Sequence, residues 1–352
     1  MTKPIRNLLA GAAIGGMLGL TATHAAPARD LTIVSWGGSY QDAQRKIYFE
    51  PFMSETGIKL VEDSWNGGVG TLRAKVEGGN ADWDVVQVEA EELVLGCEEG
   101  LFETLDYEKI GGRDAFIPDA VHECGVGTIV WSTALTYDGD KLGDNPPASW
   151  ADFFNTERFP GKRGLRKGPK YALEFALMGD GVPANEVYDV LGTPEGIDRA
   201  FRKLDSIKQD IVWWEAGAQP LQLLASGEVA MTAAYNGRVS AANQSDKRNF
   251  RIAWDGNIYA IDSWVILKDS PNQDPAYRFI AFASDPQRQK DLPPLVPYGV
   301  TNKAASGLID PSVLPNVPTA PDNLSAGLAI DADFWVENIE PLTERFNAWV
   351  AQ

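Results

Sequence analysis

The chain has 352 residues, with 31 Lys and Arg against 49 Asp and Glu, a formal net charge of −18 at neutral pH. Such acidity repels nucleic-acid phosphates and anionic headgroups, which excludes nucleic acid and membrane surface as partners. With two histidines and two cysteines in all, a zinc centre has too few ligands, and no metal or cofactor is expected.

The first residues do not belong to the fold. Lys3 and Arg6 precede an apolar run from residue 8 to residue 20, and Thr23-His24-Ala25 supplies small residues for cleavage. This is the pattern of a secretory signal peptide cut near Ala25, so residues 1–25 are set aside and the address is the periplasm. The run is too short for a spanning helix. In an oxidising compartment the pair Cys97 and Cys124 is expected as one disulfide, with two free buried thiols as the alternative.

In chain order, Leu31-Thr32-Ile33-Val34 is an apolar, β-branched strand, broken by Ser35-Trp36-Gly37-Gly38-Ser39. Tyr40, Ala43, Ile47 and Tyr48 then share a helical stripe. Strand, glycine turn and helix open an α/β sheet, and ligands bind such sheets beyond the carboxyl ends of the strands. That places Trp36, Gly37 and Tyr40 at a candidate cleft, with a Trp36 that packs under its own helix as the alternative. A second strand is expected over 57–62, a helix over 69–77 and a third strand over 83–88 that ends in Glu89, Ala90, Glu91 and Glu92. Alternating strands and helices indicate parallel βαβ units.

Residues 125–137 and 258–267 are β runs, the first longer than an ordinary strand, as crossovers between two lobes require. Residues 150–154 read as a helix capped by Ser149, and 158–170 as a basic Gly/Pro-rich loop. Helices follow over 171–178, 193–208 and 219–226, strands over 227–234 and 252–254, and a Pro-rich ordered loop over 293–321.

No nucleophile motif, phosphate loop or metal motif is present. Instead, aromatic, amide and acidic residues fall at strand ends and helix starts: Trp36, Glu89, Glu91, Gln219, Tyr235, Asn236 and Asp262. Aromatic faces and carboxylates together recognise ammonium groups. Asp262 sits in an apolar β run, where either a local donor or a ligand cation must satisfy it. Arg238 reads either as a solvated surface charge or as a bidentate clamp for a carboxylate.

Taken in order, SWGGSY at 35–40, WDVV at 83–86, LTYD at 135–138, P-x-SW-x-DFF at 147–154, GEVAM and YNG within 227–237, AIDSW at 260–264 and PYG-x-TN at 297–302 resemble the substrate-binding proteins of bacterial ABC importers, specifically the spermidine/putrescine group. The resemblance spans the mature chain. It implies an α/β, two-lobed periplasmic-binding-protein fold of type II, with a ligand cleft between lobes joined by β crossovers. Lobe 1 would comprise 26–133 plus 259–310, lobe 2 residues 134–258, and 311–352 a C-terminal helical segment packed on both. It implies a non-enzymatic monomer that closes on a small amine and docks on ABC permease subunits. The family's aromatic positions fall on Trp36, Tyr235 and Tyr298, and its amine-binding carboxylate on Asp262. Ala260 replaces a frequent tryptophan, Lys170 precedes the helix that carries acidic residues in polyamine binders, and Arg238 follows YNG. The family implies a polyamine such as putrescine or spermidine, whereas these departures fit a ligand with one amine and one carboxylate, such as γ-aminobutyrate. The rival classes are a secreted carbohydrate-active hydrolase with a carboxylate pair, a ferric-ion binder and a sensing subunit for a chemoreceptor.

Overall fold

The computed structural model describes Met1, residues 29–78 and residues 82–352; apart from Met1, the expected signal peptide lies outside the described residues. Ten strands form a mixed sheet among the described residues. They are β1 (Leu31–Ser35), β2 (Leu60–Ser64), β3 (Val85–Val88), β4 (Gly125–Asp138), β5 (Lys162–Arg166), β6 (Ile211–Trp214), β7 (Val229–Tyr235), β8 (Phe250–Ile266), β9 (Gly299–Val300) and β10 (Leu328–Ala329). The order is β2-β1-β3-β8-β4-β7-β5-β6, with β9 added to β4 and β10 to β8.

β1 is buried at every position and runs parallel to β2 and β3, as its β-branched composition requires. The second strand starts three residues later than expected because Gly57, at φ 71°, closes the preceding helix and returns its N–H to the Met53 carbonyl. Residues 90–98, where the sequence pattern predicts only the acidic end of a strand, form a helix. Glu89 caps it, and the Glu92 carboxylate accepts from the Glu89 N–H at 2.9 Å, a capping box built from two glutamates rather than Ser or Thr.

The two long strands carry the chain between two lobes. β4 pairs with the second half of β8 over Gly125–Thr133 and with its first half over Leu135–Asp138. Between these stretches the register jumps, so that Thr133 faces Ile258 and Leu135 faces Ala253. Gly256 absorbs the extra residues at φ 66°; a Cβ there would meet the Trp150 ring at 2.8 Å. The expected strands at 252–254 and 258–267 are thus one bulged strand. One lobe is built on β2, β1 and β3, the other on β7, β5 and β6.

β5 lies within the stretch expected as a basic loop. Its Arg163 is fully buried, and the guanidinium donates to the carbonyls of Phe153 (2.6 Å), Phe159 (2.6 Å), Gly161 (2.5 Å) and Asn155 (3.3 Å). Gly164 lets β5 lie against Thr232 of β7, where a Cβ would come within 2.3 Å of the hydroxyl.

Cys97 and Cys124 form the disulfide, with Cα atoms 5.7 Å apart, tying the helix Ala90–Glu98 to the start of β4. A loop of this size stabilises by roughly 3 kcal/mol in the chain-entropy account. Among the described residues no helix is long and apolar enough to cross a membrane.

The C-terminal helix Ala332–Val350 packs against the helix Ala90–Glu98 of the first lobe and, through Phe346 and Trp349, against Trp213 and Phe201 of the second. Trp349 donates to Asp205 at 2.6 Å, and Trp335 donates to the buried Glu174 carboxylate at 2.8 Å, on the oxygen that also takes the Tyr188 hydroxyl. The other Glu174 oxygen is buried without a partner. Burial pushes this carboxyl up to about 7 from its usual 4.5. The folded state therefore holds the proton more tightly than the unfolded chain. The contribution is full below pH 4.5 and is lost as pH rises through about 7. The loss amounts to about 3 kcal/mol. Glu174→Gln keeps the acceptor and removes the charge. Urea unfolding is expected to find the variant more stable than wild type at pH 8 and equal to it at pH 4.5; parallel midpoints at both would refute this origin.

Candidate functional site

Where the lobes meet, Trp36, Tyr40, Trp65, Glu89, Trp131, Arg166, Tyr235, Arg238, Asp262 and Tyr298 line one cavity. The first lobe supplies a carboxylate in an aromatic box. Asp262, on β8, is 3% exposed. Trp36 donates its indole N–H to one carboxylate oxygen at 2.7 Å, Trp131 donates to the other, and the Gln87 amide donates at 3.2 Å. Gln87 is itself held by the Gln44 amide at 2.9 Å and by Tyr40. Trp36 stacks on Trp65 with ring centroids 5.2 Å apart, and Trp131 meets Tyr235 edge-on at 5.3 Å. Burial, then the charge of Glu89, raises Asp262 well above the usual aspartate range, against the pull of the two indoles. An arriving ammonium would offset that burial and favour the ionised form.

The second lobe supplies the cations. Arg238 is 4% exposed and bridges to the first lobe, donating to the carbonyls of Trp36 (2.8 Å) and Gly37 (3.1 Å). Gly38, at φ 59°, leaves room for it, since a Cβ would sit 2.7 Å from the guanidinium. Among the described residues no carboxylate pairs with Arg238 within 4 Å. Arg166, at the end of β5, pairs with Glu89 at 3.0 Å and donates to the Asn66 carbonyl at 3.1 Å. Lys170 contacts both Glu89 and Glu91. Burial would raise the Glu89 pKa, but Lys170 and Arg166 more than offset it and hold Glu89 well below the usual carboxylate range. Burial, then Glu89 and Glu91, push Glu92 up to about 7. Glu89 thus faces both Arg166 and Lys170, Glu91 faces Lys170, and among the described residues Asp262 and Arg238 have no oppositely charged side chain within 4 Å.

Of the sequence candidates, Trp36, Tyr40, Glu89, Tyr235, Arg238, Asp262 and Tyr298 line the cavity. Gly37 contributes its carbonyl to Arg238 rather than a wall. Gln219 does not reach the cavity: it is exposed, and its side-chain oxygen accepts from the N–H groups of Glu215 and Ala216 at 2.7 and 2.8 Å. Asn236 is spent on structure, accepting from Ser132 N–H and donating to the carbonyls of Pro297 and Asn316. Glu91 faces Lys170 outside the cavity. Of the open alternatives, Asp262 has local neutral donors and Arg238 is buried rather than solvated. Trp65, Trp131 and Arg166 went unrecognised in the sequence. Trp131 lay inside an apolar β run and Arg166 inside an apparent loop; only strand pairing turns both inward.

Residues 48–318 match the model of a family described as bacterial extracellular solute-binding protein. The chain belongs to that family. This solute-binding protein is 49% identical to the γ-aminobutyric acid-binding protein of Pseudomonas aeruginosa over 335 residues, covering 95% of each chain. It is 24% identical to the spermidine/putrescine-binding periplasmic protein of Escherichia coli K12 over 332 residues, 92% of this chain and 91% of that one. The solved structure of the Atu4243 GABA receptor superposes with a TM-score of 0.79 at 37% identity, covering 92% of this solute-binding protein and 98% of the receptor. The resemblance to substrate-binding proteins and the two-lobed α/β fold expected from it both hold.

Proposed function

We propose that this solute-binding protein captures a small ω-amino acid such as γ-aminobutyrate in the periplasm, closes its lobes over it and delivers it, chemically unchanged, to ABC permease subunits. The carrying observation is that the Asp262 carboxyl and the Arg238 guanidinium line one cavity and neither pairs with an oppositely charged side chain of the described residues. The ammonium would rest on Asp262 between Trp36 and Trp131, and the carboxylate on Arg238. A diamine would need Glu89 or Glu91 for its second amine, and both already face Lys170. The 49% relative named for γ-aminobutyric acid supports the same reading. We place the hinge at residues 133/134 and 258/259, supported by the register jump there.

Calorimetric titration of wild type and Arg238→Ala tests the ligand. γ-Aminobutyrate is expected to bind wild type and to lose about 30-fold or more in affinity in the variant, the scale for truncating one partner of a buried charge pair. Putrescine should bind the variant as well as wild type or better. Unimpaired γ-aminobutyrate binding would remove Arg238 from the site.

A further inference from the structure

Lys170 lies outside the machinery just assigned, yet its ammonium sits among carboxylates and an aromatic ring, the groups that recognise a ligand ammonium. Its side chain is 10% exposed, and its ammonium contacts Glu89 and Glu91 of the opposite lobe and lies 5.0 Å from the Tyr171 ring centre. The Tyr171 hydroxyl donates to the same Glu89 oxygen at 2.8 Å. The second oxygen of Glu91, itself 95% buried, has no partner, although a buried acceptor without a donor is costly. Carboxylates beside an aromatic face make an ammonium site. Glu89 also lines the ligand cavity, so the two ammonium sites adjoin.

We infer that Lys170 is a built-in occupant of a second ammonium site formed by Glu89, Glu91 and Tyr171, and that it selects against diamines by filling the place their second amine would take. A wild-type diamine would meet Arg166, Lys170 and Arg238 with only Asp262 unclaimed. A zwitterion needs no second anionic site. Lys170 also joins the lobes, so its ammonium does from within the chain what a ligand ammonium does from outside. The consequence for ligand choice rests on the amine-plus-carboxylate reading above; the occupied site rests on its own contacts.

Lys170→Ala empties the site while leaving its walls. Thermal unfolding with ethylammonium chloride, against equal sodium chloride, is expected to restore most of the melting temperature the variant loses and to leave wild type unmoved. Calorimetry is expected to show putrescine or cadaverine binding at least tenfold tighter to the variant than to wild type. No ethylammonium rescue would overturn the site, and rescue without diamine gain would overturn the role in ligand choice. Should Lys170→Ala not fold, the Lys170→Ala, Glu91→Gln double variant carries both measurements with one buried charge fewer. If ethylammonium rescues but wild type ignores γ-aminobutyrate, the proposed ligand fails and the ammonium site stands.

Discussion

Asp262→Asn is expected to weaken γ-aminobutyrate binding by about 2–5 kcal/mol, the range for removing one member of a buried charge pair. At about 1.4 kcal/mol per tenfold this is a loss between roughly 30-fold and several thousand-fold. Asparagine has nearly the same shape, so the aromatic box stays and the charge goes. Its amide would turn an N–H donor toward Trp36 or Trp131, whose indoles both donate to the present carboxylate, so nothing compensates. The pH dependence supplies a second readout. Burial raises Asp262 in the free protein, and an ammonium would lower it again. Affinity is therefore full above the free-state pKa and falls as pH drops through it, because binding must then expel a proton. Calorimetry across pH should find that slope from Asp262 in wild type and lose it in Asp262→Asn. A variant that binds within threefold of wild type would take the ammonium away from this carboxylate.

Arg163→Ala is expected to destabilise the protein by about 3–5 kcal/mol without touching the cavity. The side chain donates to four carbonyls along residues 153–161, and those of Phe153 and Phe159 belong to buried residues. Each buried acceptor left without a donor costs about 1–3 kcal/mol, and the volume of the side chain is lost as well. The loop would no longer be pinned to β5, whose far end carries Arg166 into the cleft. Urea unfolding measures the loss as a lower midpoint. A shift under 1 kcal/mol would show that water replaces the guanidinium without cost.

Much of this protein is decided locally, and such parts are legible in sequence. β1 forms because Leu31, Ile33 and Val34 are apolar and Thr32, Ile33 and Val34 are β-branched, which suits a strand buried on both faces, and the helix after it follows from one apolar stripe. The pairing of Cys97 with Cys124 is expected from there being one pair in a chain whose N-terminal pattern reads as an export signal. Asp262 was conspicuous because a carboxylate in an apolar run needs a reason. Elements that depend on distant partners were illegible. β5 is polar and glycine-rich, and it is a strand because β6 and β7 pair with both its edges and Phe153 and Phe159 receive its arginine. The helix Ala90–Glu98 starts at a glutamate whose capping box resembles ordinary acidic sequence.

For the site, sequence supplied the residue types and tertiary structure supplied their pairing. Glu89, Glu91, Arg166 and Lys170 are all charges in the chain, and nothing local says which neutralise one another. Docking of one lobe on the other brings Lys170 and Arg166 to residues about eighty positions away and leaves Asp262 and Arg238 as the unmatched pair. Gln219 and Asn236 show the converse: amides at promising positions were claimed by backbone groups that the fold left nearby. Sequence by itself determined the fold and singled out one carboxylate whose burial needs a partner, because patterning and burial cost act along a single element. Only the tertiary structure decided which charges remain free for a ligand, because charge pairing depends on distances across the cleft.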